Sequence, residues 1–164
     1  MPTERELDPK VEIAHVLSMD VVGYSLLLIT DQTRIMGELG SVARNSAQFR
    51  RAEAEGKLMR IPTGDGMSLV FFDDPEAPIE CAMEIAAALK SRPEIQLRMG
   101  IHSGPVNQVI DVSDRSNVAG AGMDTAQRVM DCGDAGHILL SKRVADDLAQ
   151  YRQWQPLLHD LSLH

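Results

Sequence analysis

The sequence lacks three features that would assign it to well-defined classes of protein. No apolar run approaches the eighteen or so residues that cross a membrane, and the first ten residues are too polar for a signal peptide. The two cysteines, Cys81 and Cys132, form no CxxC or histidine-rich motif, so we expect both to be buried thiols in a reducing compartment. These absences favour a cytoplasmic protein without a disulfide framework.

Basic residues are also scarce. The 164 residues include 16 lysines and arginines against 24 aspartates and glutamates, which gives a net charge of −8. This balance opposes binding to nucleic acid or to an anionic membrane, so we expect neither as a partner. A small anionic ligand would require a locally positive site or a metal ion. The length fits one domain that buries about two-thirds of the surface of the unfolded chain.

The order of predicted elements indicates an α+β fold. Adjacent strands form antiparallel pairs joined by helical crossovers, as in a ferredoxin-like sandwich with helices packed on a central, mostly antiparallel sheet. We expect a polar, mobile leader at residues 1–10, the domain at 11–152 and an irregular tail at 153–164, in which Trp154 packs.

Local patterns set the expected boundaries of each element. The first half of the chain is predicted to form a strand over 11–22, a helix or helix pair over 26–55 with a cap at Thr30 or Asp31 and a break at Gly40 or Arg44-Asn45-Ser46, and a hairpin over 58–72. A helix capped by Asp74 follows, with Ile79, Ala82, Met83, Ala86 and Leu89 on its apolar face. The second half is predicted to form strands over 95–101 and 106–112 separated by a turn at Ser103-Gly104-Pro105, a polar loop over 113–117, a helix over 119–132, a strand over 137–140 and a helix from its cap Ser141 to Tyr151.

The hairpin carries an aspartate at its tip. Two short β-favouring runs are separated by a turn that contains Pro62, Gly64 and Gly66. Asp65 lies at the tip of this turn, between the two glycines. A Gly-Asp-Gly turn is weak evidence of function by itself, because both residue types dominate ordinary turns for conformational reasons.

A second aspartate, Asp20, ends the first predicted strand. Gly23 follows it and permits a tight turn of the backbone. Asp20 is either a cap for the next helix or a functional carboxylate. If the two strands are neighbours, Asp20 and Asp65 lie side by side, an arrangement that holds Mg²⁺ together with nucleotide phosphates.

The helix predicted over 119–132 places two charged residues on one face. Asp124 and Arg128 are four positions apart, which brings their side chains together. The structural interpretation is an intrahelical ion pair worth a few tenths of a kcal/mol.

Four segments in this order and spacing together resemble the class III adenylate/guanylate cyclase catalytic domain, over about residues 11–148. They are Met19-Asp20-Val21-Val22-Gly23-Tyr24-Ser25, Pro62-Thr63-Gly64-Asp65-Gly66-Met67, Arg98-Met99-Gly100-Ile101-His102-Ser103-Gly104-Pro105-Val106 and Ala121-Gly122-Met123-Asp124-Thr125-Ala126-Gln127-Arg128-Val129.

The resemblance implies a site and a reaction. Asp20, Asp65 and the carbonyl of Val21 would hold two divalent ions, Mg or Mn, and Arg128 would stabilise the transferred phosphate. The ribose 3′-hydroxyl of ATP or GTP would attack the α-phosphate and yield the cyclic 3′,5′-nucleotide and pyrophosphate. A head-to-tail homodimer would form two equivalent sites. The triphosphate would be bound by the backbone of Val22, Gly23, Tyr24 and Ser25.

Several positions depart from the family pattern. Ile61 stands at the position of the purine-reading lysine or glutamate, and Asn117 replaces its partner aspartate or cysteine, so ATP and GTP are not distinguished. Asp124 replaces the asparagine that orients the ribose, and its charge near a triphosphate costs roughly 1 to 4 kcal/mol at about 4 Å. The family also continues beyond residues 160–161 into a hairpin with a phosphate-contacting lysine.

Two other interpretations remain. A cyclase-like regulatory module would bind a nucleotide or only dimerise, without forming product. An unrelated ferredoxin-like binding domain would carry the four motifs by coincidence.

Overall fold

The fold is organised around a six-stranded sheet, seen here in a computed structural model that describes residues 10–110 and 116–158. Helices pack on both faces of the sheet. The elements are β1 (Lys10–Val21), a 3-10 turn (Tyr24–Leu26), α1 (Ile29–Arg44), α2 (Ala47–Ala54), β2 (Leu58–Pro62), β3 (Gly66–Phe71), α3 (Ala77–Ala88), a 3-10 turn (Leu89–Ser91), β4 (Leu97–Ile110), β5 (Ser116–Ala119), α4 (Ala121–Asp131), β6 (Ile138–Leu140), α5 (Lys142–Leu148) and a 3-10 turn (Gln155–Leu157).

The strand order is β2-β3-β1-β4-β5, with every neighbouring pair antiparallel. The last strand, β6, pairs in parallel with the first part of β4. The end strands β2 and β5 approach each other, so the sheet is nearly closed. The expected α+β class with a mostly antiparallel sheet is confirmed.

The two faces of the sheet bury different apolar clusters. Leu17 and Met19 of β1 belong to the larger cluster, which is closed by α1, α2, α3 and α5. Val16 and its neighbour Ala14 belong to a smaller cluster beneath α4. This alternation is the two-residue period of a strand that is covered on both faces.

The expected turn at Ser103-Gly104-Pro105 is wrong, because β4 runs through it as one continuous strand. Its pairing with β1 extends from Leu97 to Gln108 without interruption. Pro105 lies between the end of the β6 pairing at Ile101 and the start of the β5 pairing at Asn107. Its missing N–H therefore breaks no ladder on that side.

The helix predicted over 26–55 is a pair, separated at Asn45 and Ser46. The Ser46 hydroxyl caps α2 by accepting a hydrogen bond from the Phe49 N–H at 3.4 Å. The expected cap at Thr30 or Asp31 is wrong, since α1 begins at Ile29 and its N-cap, Leu28, makes no side-chain bond.

Helix α3 also begins later than expected. The Asp74 carboxylate accepts a hydrogen bond from the Glu76 N–H at 2.9 Å, which closes a turn before the helix. Met83, expected on the apolar face, is 43% exposed, because Cys81 and Ile85 face the core instead.

Three further expectations need correction. Cys132 is exposed, whereas Cys81 is buried as expected. Ser116 and Asn117 lie on β5 instead of a loop, and the rest of the loop predicted over 113–117, residues 113–115, falls outside the described residues. Helix α5 starts after its cap Ser141 as predicted but ends at Leu148.

The chain after α5 is attached to α3 through Trp154. This side chain is 6% exposed, and its Nε1–H donates to the Glu76 carboxylate at 2.6 Å. Residues 1–9 of the expected leader and the last six residues lie outside the described range, whereas Lys10, the last residue of that leader, already belongs to β1. No helix within residues 10–110 and 116–158 is long and apolar enough to cross a membrane.

Helix α4 lies unusually close to β4 because both surfaces carry glycine. A Cβ on Gly100 would overlap the backbone of Ala126 and Met130, and one on Gly122 would press on the Gly104 carbonyl. Glycine therefore sets the depth at which α4 sits on the sheet.

We predict that Gly100→Ala lowers the free energy of unfolding by about 1–3 kcal/mol, because the added methyl group forces α4 away from β4. Urea denaturation measures this change. Gly37→Ala is the matched control, since Gly37 lies on α1 with no atom within 4 Å of an added Cβ. That control should stabilise by up to about 1 kcal/mol. Equal stability of the two variants would contradict the close packing of α4.

Candidate functional site

Strand pairing brings the two predicted carboxylate residues together. Asp20 at the end of β1 pairs with Gly66 at the start of β3. The Val21 N–H donates to the Asp65 carbonyl at 2.8 Å, which fixes the hairpin turn against the end of β1. A Cβ on Gly66 would overlap the Met19 carbonyl, so only glycine permits this approach.

The turn after β1 supplies the wall of a cleft. Gly23 adopts a left-handed conformation with φ of 74°, and a 3-10 turn follows it. The Val22 N–H donates to the Gln96 carbonyl at 2.8 Å and is therefore engaged within the fold. The amides of Tyr24 and Ser25 open the 3-10 turn, where N–H groups have no acceptor within the turn itself.

The cleft has a volume of about 360 Å³. Its lining combines the end of β1, the turn after it, the hairpin tip, one residue of β4 and the segment after α4. The lining residues are Asp20, Val21, Val22, Gly23, Tyr24, Ser25, Asp65, Arg98, Gly133, Asp134 and Ala135.

Arg98 is the cation of this cleft. It lies opposite Asp20 in the β1–β4 pairing. It donates two hydrogen bonds to that carboxylate, from Nε to Oδ1 at 3.0 Å and from Nη2 to Oδ2 at 2.5 Å. Asp20 is 5% exposed, so it needs such a partner when no other cation is bound. The hydrogen bond to Asp20 raises the pKa of Arg98 above its ordinary value.

The donor set fits a hard divalent ion. Asp20 and Asp65 offer carboxylate oxygens, and Val21 lines the same cleft. Within the described ranges no group of three histidine, cysteine, aspartate or glutamate side chains is placed to hold a metal. Such a site would therefore leave the remaining ligand positions to water or phosphate, which suits Mg²⁺. An ion that binds Asp20 competes with Arg98 for its carboxylate oxygens.

The other predicted site residues do not line this cleft. Asp124 and Arg128 are exposed on α4, and no ion pair joins them among the described residues. Ile61 packs against the smaller cluster with Val118, and Asn117 lies next to Val118 on β5. The chain thus carries two separate groups of candidate residues.

Sequence reasoning missed the role of Arg98, although this residue opens the third motif. Its contact with Asp20 spans 78 positions of sequence, and no local spacing indicates it. Asp131 was also missed. It ends α4, and its carboxylate oxygen Oδ1 lies 3.4 Å from Nη2 of Arg98. The one available signal for the ion pair was the basic residue at position 98, which lies opposite Asp20 once β1 and β4 are paired antiparallel.

Comparison with known proteins identifies structures of similar fold. No protein-family model and no curated protein matches the chain. Among solved structures, the guanylate cyclase domain of RhGC from Catenaria anguillulae in complex with GTP is similar, with 20% identity, a TM-score of 0.71, and coverage of 85% of this chain and 84% of that one.

Two bacterial structures are similar over the same extent. The adenylyl cyclase CyaB from P. aeruginosa has 15% identity and a TM-score of 0.71, with 88% of this chain and 84% of that chain covered. The adenylate/guanylate cyclase/hydrolase from Silicibacter pomeroyi has 27% identity and a TM-score of 0.63, with 87% and 82% covered. The chain therefore has the fold of the class III nucleotidyl cyclase catalytic domains.

Proposed function

We propose that the chain is a class III purine nucleotide cyclase domain of intracellular signalling. It converts ATP or GTP to the cyclic 3′,5′-nucleotide and pyrophosphate. The observation that carries this proposal is the convergence of Asp20 and Asp65 on one cleft beside the turn at residues 22–25. In the reaction a bond forms between the ribose 3′-oxygen and the α-phosphorus, and the bond from that phosphorus to the leaving pyrophosphate breaks.

Two divalent ions, Mg or Mn, are the cofactors of this proposal. Asp20, Asp65 and the carbonyl of Val21 would hold them. When bound, such ions lower the pKa of the attacking hydroxyl and offset charge on the phosphates. The exposed Asp65 is available to an ion directly, whereas the buried Asp20 is available only after Arg98 releases it.

In this proposal Arg98 binds phosphate in addition to pairing with Asp20. Its planar guanidinium forms paired hydrogen bonds with Asp20, and the same fork matches two oxygens of a phosphate. Once an ion occupies Asp20, the guanidinium faces the cleft in which the triphosphate would lie. The backbone amides of Gly23, Tyr24 and Ser25 in the turn would bind the same phosphates. Val22 lines the cleft beside them.

The second group of residues acts at a partner's cleft. Asp124 and Arg128 are exposed on α4 and lie apart from the cleft of their own chain. A head-to-tail homodimer would place Arg128 at the transferred phosphate and Asp124 at the ribose of the other site. Each chain would then contribute to two equivalent sites.

The residues at the base position leave the purine open. Ile61 is half-buried against the smaller apolar cluster and has no polar atom for the base edge. The Asn117 Oδ1 accepts a hydrogen bond from the Val118 N–H at 2.8 Å, so the side-chain amide group is the part left for a base. An NH2 group only donates, and both purines present acceptors, so it does not separate ATP from GTP strongly.

A second candidate function is a cyclase-like regulatory module that binds a nucleotide or only dimerises. Two observations favour it. Arg98 forms an ion pair with Asp20, and Asp124 places a carboxylate at the position expected to orient the ribose. Metal dependence separates the two candidates.

We predict that the purified domain forms a cyclic nucleotide from ATP or from GTP with Mg²⁺ or Mn²⁺, and that Asp65→Ala lowers this rate at least about a hundredfold, because a metal ligand is lost. Product is quantified by chromatography with each nucleotide supplied separately. Asp146→Ala is the control, since Asp146 is an exposed carboxylate on α5 away from the cleft. A folded dimer that makes no product from either nucleotide would instead support the regulatory module.

We also predict that inactive Asp65→Ala and Arg128→Ala chains restore activity when mixed. Random pairing makes half of the dimers mixed, and each mixed dimer has one intact site, so about a quarter of wild-type activity is expected. The rate is measured after the chains have exchanged subunits. Undiminished activity of Arg128→Ala alone, or no recovery in a mixture that forms dimers, would contradict the shared site.

A further inference from the structure

The guanidinium of Arg98 lies between two carboxylates that belong to different parts of the fold. On one side is Asp20, at the floor of the cleft, and on the other is Asp131, the last residue of α4. One nitrogen, Nη2, is within reach of both, at 2.5 Å from Asp20 and 3.4 Å from Asp131. Arg98 can therefore pass from one carboxylate to the other by a small movement of its side chain.

The two contacts are unequal. The Asp20 side chain is 8% exposed and receives two hydrogen bonds, whereas the Asp131 side chain is 62% exposed and receives one longer bond. A buried carboxylate that accepts two hydrogen bonds binds the guanidinium more strongly than an exposed carboxylate that accepts one. Without a bound ion, Asp20 is the principal partner of Arg98.

An ion on Asp20 reverses this preference. A divalent cation competes with Arg98 for the Asp20 oxygens that accept its two hydrogen bonds, and the charge of the cation repels the guanidinium at short range. The acidic groups that act on Arg98 are Asp20, Asp131 and Asp65. Asp20 and Asp65 would both be ligands of the ion, so Asp131 is the carboxylate left for Arg98.

We propose that Asp131 is a positioning residue that holds Arg98 away from Asp20 when a divalent ion is bound, and thereby sets the ion affinity of the nucleotide-free cleft. The inference rests on the proposed role of Asp20 and Asp65 as metal ligands. It assigns no contact with the ion to Asp131 itself. The switch consists of one arginine and two alternative carboxylates.

The experiment measures Mn²⁺ binding to the domain by electron paramagnetic resonance, without nucleotide. Asp131→Asn should weaken binding by about two- to fivefold, the size expected for one exposed ion pair. Asp134→Asn is the matched control, because Asp134 lines the same cleft, is exposed and loses the same charge, but makes no ion pair with Arg98 among the described contacts. Asp131→Glu should restore the wild-type affinity.

The dependence on Arg98 separates positioning from a general loss of negative charge. In an Arg98→Gln background, Asp131→Asn should weaken Mn²⁺ binding no more than Asp134→Asn does, because no guanidinium remains to be held. Urea denaturation identifies variants that are folded. The comparison of Asp131→Asn, Asp131→Glu and Asp134→Asn tests the proposal even where Arg98→Gln does not fold.

Two failures are distinguishable. Equal effects of Asp131→Asn and Asp134→Asn, or an undiminished Asp131 effect without Arg98, would overturn the positioning role and leave the metal site intact. Absence of Mn²⁺ binding by the wild-type domain, or binding that Asp65→Asn does not weaken, would overturn the metal site and the positioning role together.

Discussion

The antiparallel pairing of β1 with β4 is the constraint on which the remaining structure depends. It covers all 12 residues of β1 and joins parts of the chain that are far apart in sequence. β3 pairs with the other edge of β1, so the end of β1 is fixed from both sides. Asp20 is thereby placed between Gly66 of the hairpin and Arg98 of β4. The position of Asp20 beside both the hairpin turn and Arg98 follows from these two registers of β1.

Charge explains why Arg98 occupies the cleft of an acidic chain. Asp20 is nearly inaccessible to water, and a buried carboxylate without a partner is strongly destabilising. Arg98 removes that cost in the ion-free protein. The same pairing then competes with a divalent ion for Asp20. Stability of the ion-free fold and affinity for the ion are therefore opposing demands on one carboxylate.

Features with a local cause could be predicted from the sequence. The hairpin followed from proline and glycine at its turn, and the division between α1 and α2 followed from the polar run that contains Ser46. The juxtaposition of Asp20 with the hairpin turn required only the assumption that their strands are neighbours, which the structure confirms.

Features set by distant contacts could not be predicted. The turn signals at Gly104 and Pro105 were overridden because β1 pairs with the chain on both sides of them. The grip of Arg98 on Asp20 and its contact with Asp131 have no signature in local spacing. The exposure of Cys132 depends on where α4 ends, a boundary that periodicity locates only approximately.

The central pairing also has a consequence for the order of folding. Contacts between distant parts of a chain form slowly, because closing a long loop costs conformational entropy before any contact compensates for it. The hairpin and helices α1 to α3 are encoded between the two strands of the central pair, and they leave the ribosome before β4 does. A nascent chain that ends before residue 98 carries Asp20 and Asp65 without the arginine that neutralises Asp20. The cleft is therefore among the last parts of the domain to be completed during synthesis.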